Sequence, residues 1–418
     1  MRFPFGLALG LLALGCSPAP LESKPPVTPA AKEVRAPAAA PAPTDSVDDE
    51  LEEVLRSDPD LAAFLDDAPR RRLQVLVAIP TETPEGKPVL RRLGFRADAE
   101  YFYPASSVKL CAAVAALDKL EDLRADGRRQ LGLDTRVRFT EGEGTRRKVV
   151  ETTIRAELEK ALILSDNDAH NRLFDFVGRE ELAERMSRLG LRSVRLVHPI
   201  GAPSTRQGPP VIELLPSGWP IVVAQRVGFE LPPPPAGDTV LVGSAHVDEN
   251  GKLVQRPMDF SSRNSVTLRD LQDLLVSVVR PDAFDGPPPR ISQDREDLLT
   301  ILGRLPTDLK QVREATKGQG QVVDDMFKPL HGAIVRTLPG DRIRVLGKGG
   351  RAYGFAVENV YALDETTGRS FFAAATIHAN DDDVMNDDKY DYDNVATPFI
   401  LKLGAVLARS FLVGPPAR

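Results

Sequence analysis

Apolar and polar positions change their period along the chain. Residues 48–64 space leucines among acids at helical intervals, which predicts one or two helices. The short apolar run 73–79 predicts a strand, with 89–95 as its hairpin partner. Over 106–120, Val108, Leu110, Ala112, Val114, Ala115 and Leu117 follow almost without interruption, the pattern of a helix buried on most sides, and Pro104 stands just before its start. Further helices are predicted over 152–164, 168–177, 179–189, 267–279 and 292–302. The C-terminal part then reads as strands at 342–346, 351–363 and 370–378, with a turn at Thr366-Thr367-Gly368 and a closing helix over 396–412. Strands at both ends with helices between them predict an α+β fold: a mainly antiparallel sheet flanked by helices, carrying an inserted helical lobe.

Two segments stand outside this pattern. The apolar run after Arg2 is too short to span a bilayer but suits the core of an export signal. It ends Leu12-Ala13-Leu14-Gly15-Cys16, which resembles the lipobox of bacterial lipoproteins. Residues 1–15 are expected to be removed, Cys16 to be lipidated, and the Pro/Ala-rich stretch 16–47 to act as an extended tether to a domain over 48–418. The expected location is therefore the cell envelope, held to a membrane through the lipid, and no later segment is expected to cross one. The second segment, about 197–258, is rich in proline and holds Asn250-Gly251 between two apolar runs, a hairpin signal; it reads as an elaboration on one rim.

Composition narrows the function. The 418 residues include 54 Lys+Arg and 60 Asp+Glu, a formal charge of −6, so no whole-chain basic field exists to hold nucleic acid. Two cysteines and five scattered histidines form neither a disulfide framework nor a recognisable zinc pattern, and no cofactor or metal is implied. Gly340 to Lys348 lacks P-loop spacing. The acidic run 381–393 reads as a capping loop before a helix, with a cation site as the alternative. His170 and Cys111 read as packing residues, and Trp219 as a packing residue or a rim contact.

The chemistry is carried by three short motifs. Ser106-Ser107-Val108-Lys109 is an S-x-x-K at a predicted helix start, where positions three apart share a face and a lysine amine can take the proton of a serine hydroxyl. Ser165-Asp166-Asn167 follows about sixty residues on, between two predicted helices, and Lys348-Gly349-Gly350 follows a predicted strand.

In this order and context the sequence resembles the class A β-lactamase-like, penicillin-binding serine hydrolases, over roughly residues 70–412. Asn264-Ser265-Val266-Thr267 before a helix agrees with the resemblance. It implies Ser106 as the acylated nucleophile, Lys109 as its base, Ser165 as a proton shuttle, Asn167 as a holder of the substrate amide and Lys348 as the cation for its carboxylate. The N–H groups of Ser106 and Arg351, with Gly350 beside them, would form the oxyanion hole, and Asp166 would support the loop. The implied substrate is a small β-lactam or a peptidoglycan peptide.

Two departures matter. Gly349 replaces the hydroxyl residue of K-[ST]-G, a loss of roughly 1–3 kcal/mol in binding if nothing compensates. No E-x-x-N glutamate is found; Glu213, the nearest acid in the insert, is expected on a strand facing solvent. A D,D-peptidase-like enzyme and an inactive cell-wall-binding lipoprotein are the alternatives.

Overall fold

The computed structural model describes residues 48–128, 130–142, 147–201, 208–316, 318–338 and 342–413. The expected signal segment, the tether and Cys16 lie outside the described residues.

Helices α1 (Asp49–Arg56) and α2 (Pro59–Asp66) open the described chain, the second started by Pro59 and by the Asp58 carboxylate, which accepts the N–H groups of Asp60 and Leu61. The hairpin β1 (Gln74–Glu82) and β2 (Pro88–Phe95) follows as expected. A short helical turn, Ala105–Val108, leads into α3 (Lys109–Ala125), in which every residue from Lys109 to Leu117 is buried. Next come β3 (Arg136–Glu141), β4 (Lys148–Thr153), α4 (Ile154–Ile163), α5 (Asn167–Val177) and α6 (Arg179–Arg188). Residues 152–153, expected at the start of a helix, instead end β4, and the Thr153 hydroxyl caps α4.

The proline-rich insert does more than decorate a rim. Its β5 (Val211–Leu215) and β6 (Ile221–Val222) complete a four-stranded sheet in the order β4-β3-β5-β6. Short strands β7 (Leu241–Val242), β8 (Ala245–Val247), β9 (Leu253–Val254) and β10 (Met258–Asp259) follow, with β8 and β9 joined through Asn250-Gly251. Gly251 has φ +76°, a conformation that suits glycine.

Helices α7 (Leu268–Val279), α8 (Arg295–Gly303), α9 (Lys310–Thr316), α10 (Gly320–Phe327) and α11 (Pro329–Thr337) precede β11 (Ile343–Gly347). The strand expected over 351–363 is broken into β12 (Gly350–Ala352) and β13 (Phe355–Asp364), because Tyr353 and Gly354 take φ +53° and +77° and fold the chain back in a two-residue turn. Strands β14 (Ser370–His378) and β15 (Val384–Met385) and helix α12 (Thr397–Ala408) complete the chain.

The main sheet is antiparallel, in the order β11-β13-β14-β1-β2, with β12 paired to β13. Alternate residues serve two cores: Leu76, Val357 and Phe372 join the cluster of α3 and α7, whereas Val75, Ala356 and Val360 join that of α1, α2, α11 and α12. Burial on both faces explains why β14 is apolar along most of its length. The expectation that no later segment is long and apolar enough to cross a membrane is corrected at Tyr392–Val413, a helical stretch of 22 residues that is so by length and composition. Its Phe399, Ile400, Leu403 and Leu407 are buried in the second core.

Candidate active site

Ser106 lies one residue after Ala105, whose φ of +49° is unusual for a side-chain-bearing residue. Ser165 and Tyr353 share the feature at +55° and +53°. Such backbone costs of order 1–3 kcal/mol per residue and persists where the surroundings impose it. Ser106 is half-buried, and the short β12 runs past it: a Cβ on Gly350 would overlap the Ser106 nitrogen and stand 2.7 Å from its Cα. Glycine at 350 is therefore what lets this strand meet the serine backbone.

Lys109 is fully buried. Its amine donates to the Ser165 carbonyl and to Asn167 Oδ1 at 2.7 Å, and approaches Ser165 Oγ at 3.4 Å. All of these contacts lie on the Ser165-Asp166-Asn167 loop, so the amine expected beside the Ser106 hydroxyl makes its hydrogen bonds to that loop instead. Lys348, also buried, donates to Ser165 Oγ at 3.0 Å and to the Gly349 carbonyl. The S-x-x-K, S-D-N and K-G-G segments thus converge at the Ser165 hydroxyl.

The S-D-N loop is held by its own aspartate. Asp166 Oδ1 accepts the Ala169 N–H at 2.7 Å and caps α5, the supporting role expected of it. Asn167 keeps an exposed position, its side-chain oxygen held by Lys109. Arg351 follows Gly350, but its side chain leaves the serine: it donates to Thr397 Oγ1 at 2.9 Å and lies over the Tyr392 ring. Tyr103, close in sequence to Ala105 and Ser106, builds an edge-to-face wall with Tyr353 and Phe260, with centroids 5.1 Å apart for Tyr103–Tyr353 and 5.4 Å for Phe260–Tyr353.

Burial and like charge set the protonation of this cluster. Desolvation first, and Lys348 second, push the Lys109 amine down to about 6, with Asp166 opposing. Desolvation lowers Lys348 to about 8, opposed by Glu358. His170 is buried beside both lysines, which add to desolvation in pushing it down to about 3 and keep it neutral.

Glu358 was not singled out in the sequence, where its signal is a single acid inside the apolar run 355–363. It is buried on the far side of the sheet, where desolvation raises it to about 7 against Arg351, Lys348 and Lys328. Lys328 is likewise buried and lowered to about 7, its amine donating to the carbonyls of Leu302 and Arg304.

Other candidates stand apart from the cluster. Glu213 does lie on a strand, but rather than facing solvent alone it is 3.4 Å from Arg138. Cys111 is buried, and desolvation pushes its thiol up to about 12, away from any thiolate role. Trp219, expected to pack or to touch a rim, is 89 % exposed. In the acidic run, Asp381 pairs with Arg71 at 2.6 Å, Asp391 accepts the Asp381 N–H and Asp387 faces Lys389. Among the described residues no group of three or more His, Cys, Asp or Glu is placed to hold a metal ion.

The Beta-lactamase enzyme family model matches residues 92–284. No curated protein matches the sequence significantly. Similar solved structures include a class A β-lactamase from Mycobacterium abscessus, 17% identical over 84% of this chain and 98% of that chain with a TM-score of 0.47. A β-lactamase from Sphaerobacter thermophilus is 13% identical over 87% and 99%, TM-score 0.44. The structure of PBP-A is 16% identical over 86% and 96%, TM-score 0.47. The matched residues 92–284 carry Ser106, Lys109 and the Ser165-Asp166-Asn167 loop, so the family model covers two of the three motifs on which the resemblance to β-lactamase-like enzymes rests.

Proposed function

We propose that the protein is a serine acyl-hydrolase that opens β-lactams through an acyl-enzyme on Ser106. The observation that carries this reading is the meeting of the Lys109 and Lys348 amines at the Ser165 hydroxyl, while Gly350 lies against the Ser106 backbone.

In the proposed reaction the Ser106 oxygen attacks the lactam carbonyl carbon and its proton passes to neutral Lys109. The carbonyl oxygen, now negative, is received by the N–H groups of Ser106 and Arg351. As the C–N bond breaks, the nitrogen takes a proton from Ser165, resupplied by the neighbouring amines. Asn167 orients the substrate amide and Lys348 attracts its carboxylate. Water then cleaves the ester and restores Ser106.

The Glu213–Arg138 ion pair favours a second reading, a peptidoglycan-processing D,D-peptidase-like enzyme in which the penicilloyl ester is long-lived. Export and anchoring through lipidated Cys16, with 16–47 as the spacer from the membrane, belong to the same proposal; incorporation of labelled palmitate that Cys16→Ser abolishes tests them.

Purified protein and Ser106→Ala, incubated with a fluorescent penicillin and with nitrocefin, test the activity. Rapid nitrocefin hydrolysis that needs Ser106 supports the β-lactamase reading, and lasting Ser106-dependent label supports the peptidase-like one. No label and no hydrolysis overturn both. Ser106→Ala should melt within about 0.5 kcal/mol of the parent, since a half-buried cleft hydroxyl contributes little packing.

A further inference from the structure

Gly349 stands where the resembled family carries a serine or threonine, and the space beside it is already filled. Gly350 pairs with Val357, and the Lys348 N–H donates to the Asn359 carbonyl at 3.0 Å, so the register sets Gly349 opposite Glu358. A Cβ on Gly349 would overlap Glu358 Oε1 and stand 2.7 Å from its Cδ and 2.8 Å from the Val357 carbonyl oxygen. Gly349 does not have positive φ, so the demand for glycine here comes from space.

Glu358 is 3 % exposed. A carboxyl so deep is tolerated only where opposite charge or hydrogen bonds compensate it. Here the compensation comes from Arg351 on β12, Lys348 at the β11–β12 junction, Lys328 between α10 and α11, and the Leu330 N–H of α11. Across the strand Lys348 faces Lys109 of α3 and His170 of α5, while Asp324 and Asp308 face Lys328. Glu358 is the acid that offsets the burial of the Lys348 ammonium.

The geometry points to Glu358 as a positioning residue: from behind the strand its carboxyl fills the space beside Gly349 and so fixes the backbone next to Lys348, whose amine donates to Ser165 Oγ. A substrate carboxylate would then meet a single charge at Lys348 instead of an amine with a neighbouring hydroxyl. That consequence rests on the proposed acyl-hydrolase reading; the pairing itself does not.

Two measurements test it without any substrate. In a double-mutant cycle, Gly349→Ser should lower the melting temperature of the parent by about 5 °C or more, and by less than half as much in a Glu358→Ala background, because the overlap is then relieved. The Val357 carbonyl contact is common to both backgrounds and cancels. Equal losses overturn the proposal.

The second uses Glu358→Gln, which keeps the volume and removes the charge, with NMR titration of lysine-labelled protein and Lys348→Arg for assignment. The Lys348 midpoint should fall by about one pH unit; an unchanged midpoint overturns the positioning role even if Gly349→Ser does not fold. Failure of penicillin labelling with both results positive would overturn the acyl-hydrolase reading alone.

Discussion

Lys109 and Lys348 approach one oxygen from two sides, their amines 3.4 and 3.0 Å from Ser165 Oγ. Two ammonium groups so placed in a dry site oppose one another, and the one without a buried carboxylate behind it loses its proton first. The strand amine has Glu358, whereas the helix amine has only the capping Asp166.

Acylation should therefore follow a bell in pH. The rate rises through about 6 as Lys109 becomes a free base and falls through about 8 as Lys348 loses the charge that attracts the substrate carboxylate. Stopped-flow acylation by a penicillin from pH 5 to 9.5 measures both limbs; a rate flat across pH 5–7 would remove Lys109 from the role of base.

Replacing that base should stabilise the protein. The Lys109 amine sits at about 6 when folded against an ordinary 10.5, so between those values the unfolded chain binds more protons and stability rises with pH. At pH 7 Lys109→Met should gain about 0.5–2 kcal/mol, a difference that shrinks towards pH 10, while acylation falls about 10²- to 10⁴-fold. Urea melts at the two pH values, paired with labelling rates, check the sign.

Gly350→Ala should damage fold and site together. The added methyl overlaps the Ser106 backbone nitrogen, and the neighbour is main chain that cannot rotate away. A loss of about 1–3 kcal/mol in denaturant melts is expected, with no penicillin label remaining.

Glu213→Gln should leave the lifetime of the penicilloyl ester unchanged. The carboxylate is engaged with Arg138 on the four-stranded sheet, so it is not poised to activate water. Loss of label followed over hours by gel fluorescence makes the comparison; a longer-lived ester in the variant would make Glu213 the deacylating base.

Much of this architecture was legible in the sequence, because several signals were local. The near-continuous apolar run of α3 and the Asn-Gly turn each declare themselves within a few residues. The second sheet was missed although β3 alternates, burying Val137 and Phe139 and leaving Arg136 exposed; its other partner β5 comes from the proline-rich insert, far along the chain. Glu358 was hidden for a related reason. Its meeting with Gly349 depends on the turn at Tyr353-Gly354, and a strand read as unbroken over 351–363 cannot bring the two together.

The strand order has a consequence for how the chain acquires this shape. Strand β14 lies between β13 and β1, so the first hairpin finds its neighbour only when the C-terminal part has been synthesised. Closing such long loops precedes the contacts that reward it, which slows folding and leaves the edge of β1 bare in the meantime. A chain that stops short of Ser370 lacks the one strand that joins β13 to β1, so the two parts of the main sheet come together only once β14 is in place.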